Sequence, residues 1–163
     1  MLTIRPCMTP TDYALATQLT RDYLAWLNLD LAYQGVDAEL DSFAQMYGPP
    51  GGAFLLAFMD GQVGGGVGLR TLRPGGCEMK RLYVYARYRG EGLGLRLCEA
   101  LLQHGRALGY RYMRLDTLEQ MTPAIALYAR LGFTEIEPYC ENPFPTARFM
   151  EYDLTIGTET SSP

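Results

Sequence analysis

The segment Arg87-Tyr88-Arg89-Gly90-Glu91-Gly92-Leu93-Gly94 constrains the fold of this chain more than any other stretch. It follows an apolar run, Leu82-Tyr83-Val84, and it precedes a long stretch with helical periodicity. A strand, a glycine-rich turn and the start of a helix are therefore expected in succession. The first N–H groups of a helix lack an internal acceptor and lie at the positive end of its dipole. Because glycines let the backbone come close, this turn predicts a pyrophosphate site.

The order of residues in the turn excludes two common phosphate-binding motifs. It is neither the G-x-G-x-x-G of a dinucleotide site nor a Walker A loop, since no Gly-Lys-Ser or Gly-Lys-Thr follows. The spacing Arg-x-x-Gly-x-Gly resembles motif A of the GNAT superfamily of N-acetyltransferases, whose turn holds the pyrophosphate of acetyl-CoA. The resemblance implies phosphate contacts from main-chain N–H groups and two arginine side chains. The residues are Arg87, Arg89, Gly90, Glu91, Gly92, Leu93 and Gly94.

A second stretch, from Ala124 to Phe133, reads Ala-x-x-Leu-Tyr-x-x-x-Gly-Phe. It is similar to a run in the same family whose tyrosine lies beside the sulfur of coenzyme A. A phenol can give a proton to a departing thiolate, so the resemblance implies Tyr128 as the general acid. The alternative is a core tyrosine whose hydroxyl is satisfied locally.

The strand expected over Cys77 to Val84 carries a candidate base. In several enzymes of the family a glutamate at the start of this strand removes the proton of the acceptor amine, directly or through water, and Glu78 matches it. The alternatives are an ion pair of Glu78 with Lys80 or Arg148, and Asp116 as the base. Strict alternation along the strand predicts two faces. One has Glu78, Lys80, Leu82 and Val84, and the other has Met79, Arg81 and Tyr83.

The resemblance also implies how acetyl-CoA, as co-substrate, would lie. The pantetheine arm would enter a gap between this strand and the strand expected over Arg111 to Thr117. It would pair with main-chain groups of Leu82 and Val84, and Tyr83 would contribute mainly backbone. An N–H group near Val84 would face the acetyl oxygen. One departure from the family is Met121, where many members have an asparagine. Thr117, Gln120 or Thr122 could replace that contact.

The periodicity along the chain predicts the order β-α-α-β-β-β-α-β-α-β-β. Because helices and strands do not alternate strictly, we expect an α/β (α+β) mixed sheet of about seven strands flanked by about four helices. The GNAT resemblance covers residues 2 to 154 and implies the same acyl-CoA N-acyltransferase fold. A helix is expected over Asp37 to Met46, capped by Asp37, and Trp26 is expected in the core. The glycines of the strand over Gln62 to Leu72 suggest a bulge or a close backbone approach.

The composition of the chain limits its number of domains, its partners and its compartment. A chain of 163 residues fits one domain, 1–154, followed by a polar tail, 155–163, expected to be disordered. A net charge of −4 without a basic block argues against nucleic acid as a partner. No apolar run is long enough for a membrane span, and no signal pattern is present. Four dispersed cysteines predict neither disulfides nor a metal site, and a reducing cytoplasm is expected.

The sequence leaves the acceptor open among small amines, amino acids, antibiotics and protein lysines or N-termini, and the acidic balance and an aromatic loop favour a hydrophobic or weakly cationic small molecule. The loop from Pro138 to Pro145 is aromatic and rich in proline, and it is expected to touch the acceptor, with the segment from Trp26 to Gln34 closing the other side. The resemblance is compatible with a homodimer. Two alternatives stay open: a non-catalytic acyl-CoA sensor on the same fold, and a nucleotide enzyme whose glycine turn binds ATP.

Overall fold

Seven strands and five α-helices are formed by residues 1–31 and 34–156, the part of the chain that the computed structural model describes. The strands are β1 Leu2–Pro6, β2 Ala53–Met59, β3 Gln62–Arg73, β4 Gly76–Val84, β5 Tyr112–Leu118, β6 Thr134–Ile136 and β7 Ala147–Asp153. The helices are α1 Pro10–Leu27, α2 Val36–Asp41, α3 Phe43–Met46, α4 Leu93–Ala107 and α5 Thr122–Leu131. The expected order of elements is confirmed, with the second predicted helix divided in two.

One mixed sheet contains all seven strands, in the order β1-β2-β3-β4-β5-β7-β6. Every neighbouring pair is antiparallel except β4 and β5, which run parallel because α4 connects them. Apolar side chains of α4 and α5 cover one face of the sheet, where they pack with Met113 and Leu115 of β5. Leu19 of α1 and Phe43 of α3 cover the other face against β2. The predicted mixed sheet with helices on both faces is therefore confirmed.

The prediction for the second helix was wrong in two details. The helix begins at Val36, because Gly35 adopts a left-handed conformation (φ 68°) and takes the N-cap position instead of Asp37. It ends at Asp41, and the backbone of its C-cap residue Ser42 (φ −118°, ψ 28°) separates α2 from α3. Capping preferences of side chains favour aspartate, but a glycine with positive φ can start a helix without a side-chain cap.

Two segments that carried predictions lie partly outside the described residues. Of the predicted tail, residues from 157 onwards lie outside the described residues, as do residues 32 and 33 of the segment from Trp26 to Gln34. None of the helices in the described part of the chain combines the length and apolarity needed to cross a membrane.

The N-terminus of α1 is fixed by a reciprocal cap around Asp12. The Asp12 N–H donates to the Thr9 hydroxyl at 3.1 Å, and the Asp12 carboxylate accepts from the Thr9 N–H at 3.2 Å. Arg5 of β1 donates two bonds to the same carboxylate, at 2.8 and 2.9 Å. These bonds from Arg5, followed by the bond from the Met8 N–H, hold the pKa of Asp12 below its usual range. The cap therefore joins the first strand to the first helix.

Replacing Asp12 by alanine should lower the free energy of unfolding at pH 7 by about 1–2 kcal/mol. Because the pKa of Asp12 is lower in the folded state, its contribution is complete above about pH 4 and is lost as pH falls further. Urea unfolding from pH 7 to 2.5 measures this. The gap between Asp12→Ala and the wild type should narrow below pH 4, whereas Asp41→Asn, at an exposed carboxylate, should match the wild type. A constant gap would refute the assignment.

Candidate active site

Strands β4 and β5 part from one another in the middle of the sheet. Their parallel ladder has three pairs and ends at Glu78 and Arg114. Beyond that point a cleft that is open to solvent separates the strands. We call it the strand-gap cleft. Its lining includes Tyr23, Leu27, Leu31, Gln34, Met79, Lys80, Arg81, Leu82, Leu115, Asp116, Thr117, Leu118, Met121, Ala124, Tyr128 and Asn142. A sheet with a wedge-shaped gap exposes main-chain edges that an extended ligand can pair with.

An extra residue in β4 at the mouth of this gap changes the direction of its side chains. Gly68 pairs with Lys80 and Gly66 with Tyr83, so two β4 residues stand opposite one residue of β3. Arg81 lies in this bulge with a φ of 62°. The predicted alternation was therefore wrong after Lys80, because a bulge shifts the pleat by one residue. Leu82 packs with Met79 on the α4 face, and Tyr83 packs on the α1 face.

A buried ion pair holds the bulge. The Arg81 guanidinium donates to the Glu39 carboxylate of α2 at 2.6 and 3.0 Å, and the Tyr47 hydroxyl donates to the same carboxylate at 2.8 Å. Both charged side chains are buried. Burial alone would raise the pKa of Glu39, but the hydrogen bonds and charge of Arg81 outweigh it and the pKa is lowered. Both groups are therefore ionised, and α2 is attached to the residue that redirects β4.

The glycines of β3 allow the helical layer to approach this part of the sheet. A Cβ added to Gly66 would lie 2.5 Å from Leu19 of α1, and one added to Gly68 would lie 2.6 Å from the ring of Tyr47. The expected bulge of β3 lies where its register with β2 shifts between Ala57 and Phe58, and the expected close approach is also found, although the close neighbours include side chains as well as backbone. A larger residue at either position would displace the elements that hold Glu39.

The glycine-rich turn forms an open approach to the start of α4. Gly90 and Gly92 have φ values of 85° and 80°, and a Cβ added to either would meet no atom within 4 Å. The first bond of the helix runs from the Arg96 N–H to the Gly92 carbonyl at 3.1 Å. The N–H groups of the preceding helical residues therefore have no partner inside the helix. The predicted strand, turn and helix succession is confirmed, and its geometry suits an anion.

The two arginines of the turn lie against aromatic rings. The Arg87 guanidinium lies 5.0 Å from the ring centre of Tyr88. The Arg89 guanidinium lies 5.1 Å from the ring of Trp26, and its Nε donates to the Val84 carbonyl at 3.1 Å. Trp26 is 49% exposed, so its expected place in the core was wrong. Its ring packs against the Arg89 guanidinium, and a single apolar residue in a helical pattern does not predict such a contact.

Tyr128 lies on α5 with its side chain in the strand-gap cleft. Its ring packs 5.7 Å from that of Phe133, and its residue surface is almost entirely buried. Within the described parts of the chain its hydroxyl makes no hydrogen bond. Burial raises the pKa of Tyr128 well above its usual value. At neutral pH the phenol keeps its proton and can donate it to a group in the cleft.

Glu78 is buried, and each of its carboxylate oxygens accepts a hydrogen bond. Its Oε1 accepts from the Arg70 Nε at 2.8 Å, and its Oε2 accepts from the Tyr139 hydroxyl at 2.6 Å. Burial, followed by the charge of Glu78, raises the pKa of Tyr139, which stays a donor. Lys80 is 4.0 Å from Oε1. Of the two expected ion-pair partners of Glu78, Lys80 is therefore present only at long range, and Arg148 pairs with Glu135 instead. The close partner of Glu78 is Arg70.

A second cleft lies beside the first, under the loop from Pro138 to Pro145, and we call it the loop cleft. It is lined by Gln34, Arg70, Leu72, Glu78, Lys80, Asp116, Cys140 and Glu141. Lys80 and Asp116 also line the strand-gap cleft, so the two clefts meet between these side chains. The Asp116 Oδ2 accepts from the Asn142 amide at 3.2 Å. The structure thus brings Glu78, Asp116 and Tyr128 to one connected space.

Sequence reasoning missed two residues that line these clefts. Arg70 comes from β3 and fixes Glu78, and nothing in its local pattern indicates this. Lys80 was considered only as an ion-pair partner of Glu78 and as part of a strand face, although it is the one lysine among 14 basic residues. That isolation is the signal that could have drawn attention to it. Met121, the N-cap residue of α5, lines the strand-gap cleft, and Thr117 of β5 lines it too. The Gln120 amide oxygen instead accepts a hydrogen bond from the Thr146 hydroxyl.

Comparison with known proteins agrees with this geometry. Residues 18–133 match the model of the acetyltransferase (GNAT) family. An uncharacterized N-acetyltransferase of Schizosaccharomyces pombe is 38% identical over 156 residues, which cover 94% of this chain and 96% of that protein. The uncharacterized N-acetyltransferase YjgM of Escherichia coli is 33% identical over 131 residues, covering 78% of this chain and 77% of the relative.

Solved structures share the fold. A GNAT acetyltransferase of Staphylococcus aureus superimposes with a TM-score of 0.76 at 19% identity, covering 94% of this chain and 99% of the other. PaiA N-acetyltransferase of Thermoplasma acidophilum, solved in complex with coenzyme A, superimposes with a TM-score of 0.69 at 18% identity, with the same coverage. The family model spans most of the chain, and the parted sheet and the glycine turn agree with it. This chain therefore belongs to the GNAT family of acetyltransferases and is an acyltransferase.

Proposed function

We propose that this enzyme transfers an acetyl group from acetyl-CoA to the amine of a small molecule within a ternary complex. The observation that carries the proposal is the parting of β4 and β5 beside a glycine turn with open helix N–H groups. A pyrophosphate on the turn and an extended arm in the gap would occupy both features together. The arm would pair with main-chain groups of Leu82 and Val84, and Tyr83 would contribute backbone.

The amine nitrogen would form a bond to the thioester carbonyl carbon while the carbon–sulfur bond breaks. Tyr128 would give its proton to the departing sulfur, because burial raises the pKa of its phenol and its side chain lines the strand-gap cleft. A main-chain N–H group of β4 near Val84 would stabilise the oxyanion. Each of these groups lies on a regular element, so the reacting atoms would be held in one arrangement.

The acceptor amine must lose a proton to a base. Glu78 is our first candidate, with the Tyr139 hydroxyl passing the proton to its Oε2 at 2.6 Å. Asp116 is the alternative, since it lies where the two clefts meet. Either carboxylate would receive the proton on the acceptor side, opposite the sulfur. This separation keeps the base and the acid on different sides of the reacting carbon.

Direct attack is favoured over an acyl-enzyme because the cysteines are poor nucleophiles. Cys140 is the thiol in the loop cleft, and burial followed by the charge of Asp116 raises its pKa to about 11. Burial raises the pKa of Cys77 and Cys98 to about 12. A thiol attacks as its thiolate, which these values disfavour at neutral pH.

Acetyl-CoA should stabilise the protein strongly in a thermal unfolding assay. At 100 times its Kd a ligand adds about 2.7 kcal/mol. For a chain of this size each kcal/mol raises Tm by about 2–4 °C, which gives roughly 5–10 °C. ATP should give little shift, because the turn lacks the lysine and hydroxyl of a Walker A loop. A larger shift with ATP would favour the nucleotide alternative.

A variant of Gly94 tests the phosphate site itself. Gly94→Asp would place a carboxylate in the first turn of α4, near the proposed pyrophosphate, where a Cβ meets only Leu127 at 3.4 Å. An acid there stabilises the empty protein but repels phosphate, so the Kd for acetyl-CoA should rise at least about tenfold. Gly94→Asn is the uncharged control and should rise much less. Equal affinity in both variants and the wild type would exclude this site.

A further inference from the structure

The junction of the two clefts holds one cation and one anion that are not paired with each other. The β4–β5 ladder pairs Glu78 with Arg114, and the same register continued places Lys80 opposite Asp116. The ladder ends before this point, and both side chains line the strand-gap and loop clefts. In the described part of the chain no ion pair joins them.

In the part of the chain that the structure describes, Lys80 is a buried ammonium whose ion pair is a long one. Its side chain is 11% exposed, and its nearest carboxylate oxygen is the Glu78 Oε1 at 4.0 Å. That oxygen already accepts from Arg70, and the second oxygen of Glu78 accepts from Tyr139. Burial, followed by the charge of Arg81, lowers the pKa of Lys80. A buried charge whose ion pair is long is unfavourable, so an anion entering the junction would be stabilised there.

The choice of residue type points the same way. Lys80 is the one lysine in a chain with 14 basic residues, the others being arginine. An ammonium is a compact point charge with three donors, whereas a guanidinium needs more room and a planar partner. Arg70, the other cation of the loop cleft, is already committed to Glu78 at 2.8 Å. Among the described residues, Lys80 is therefore the cation of this junction whose ion pair is long.

We propose that the acceptor is an amino acid, whose carboxylate binds Lys80 while its ammonium binds Asp116. An α-amino acid carries both groups on one carbon, so it could connect the two side chains across the gap. Asp116 would hold the ammonium next to the thioester until the proton is removed. This inference rests on the proposed acetyltransferase function and narrows its acceptor from an apolar or cationic amine to a zwitterion.

The test compares acceptors that differ only in the carboxylate. Each of the twenty protein amino acids is assayed at saturating acetyl-CoA beside its amide and its decarboxylated amine. For the accepted side chain, kcat/KM of the wild type should be about 10–100 times higher with the acid, since one charge-assisted hydrogen bond is lost otherwise. Lys80→Met should reduce this preference to within about threefold without lowering Tm, because it removes a buried charge whose ion pair is long.

Two control variants separate the roles. Lys80→Arg keeps the charge and should keep part of the preference for the acid. Asp116→Asn should raise KM for the acid, the amide and the amine alike, because all three carry the ammonium. KM for acetyl-CoA should stay unchanged in Lys80→Met. If Lys80→Met slowed all three acceptors equally, Lys80 would serve the thioester and the proposal would be wrong.

The single lysine also gives a readout without turnover. Protein labelled with [13Cε]lysine should show one lysine Cε signal in NMR spectra. In the complex with coenzyme A, the accepted amino acid should move this signal and its amide should not. A better rate with the amide or the amine would overturn the proposal. The proposal would also be overturned if acetyl-CoA bound but no amino acid was acetylated and none moved the Cε signal. Absence of a thermal shift with acetyl-CoA would instead count against the proposed function itself.

Discussion

Replacing Tyr128 by phenylalanine should lower kcat by about 10²–10⁴-fold and leave the affinity for acetyl-CoA unchanged. The ring would still fill its place against Phe133, but the departing sulfur would lose its proton donor. Steady-state kinetics for kcat and a thermal titration with acetyl-CoA for affinity measure the two quantities separately. The effect should be smaller with an acetyl thioester whose thiol is more acidic, since such a thiolate needs no proton to leave.

Tyr152→Phe is the matched control for this prediction. Tyr152 lies 5.4 Å from the same Phe133 ring, and its hydroxyl accepts from Arg106, away from both clefts. The same chemical change there should leave kcat within about twofold, because general acid catalysis requires contact with the reacting groups. A Tyr128→Phe enzyme with normal kcat would remove Tyr128 from the mechanism.

Replacing Glu39 by glutamine should lower the free energy of unfolding by about 3–5 kcal/mol, because it leaves the Arg81 charge buried and unpaired. The Tyr47 hydroxyl would also lose a charged acceptor. Urea unfolding at pH 7 measures the loss. Since the pKa of Glu39 is lowered in the folded protein, its contribution is present above the usual range of glutamate and is lost as pH falls. The difference from the wild type should therefore shrink at low pH.

Two variants make the Glu39 prediction specific. Glu99→Gln, at an exposed position of α4, should be neutral within about 0.5 kcal/mol. Glu39→Met combined with Arg81→Met should recover much of the lost stability, because it removes both buried charges. If the double variant were no more stable than Glu39→Gln, the ion pair would not be the cause.

Local sequence patterns predicted the elements that depend on neighbouring residues. Apolar periodicity located the long helix α4 and its glycine turn. The mixed sheet followed from the order of strands and helices. These features are set by contacts within about ten residues, which a single sequence displays directly.

The site itself depends on contacts between distant residues, and these were not predictable. The bulge at Arg81 is held by Glu39, 42 residues away, and Glu78 is held by Tyr139, 61 residues away. Strict alternation therefore assigned Leu82 to the wrong face. Family resemblance led to Tyr128 and Glu78, but the junction of Lys80 and Asp116 appears only when the strands are seen to part.

A crystal structure of the protein with coenzyme A tests the central claim most directly. We expect the pyrophosphate on the N–H groups of residues 89–94, and the pantetheine arm between β4 and β5, hydrogen-bonded to the main chain of Leu82 or Val84. The sulfur should lie within hydrogen-bond reach of the Tyr128 hydroxyl. Density for the cofactor elsewhere, or a β4–β5 ladder closed along its whole length, would contradict the account.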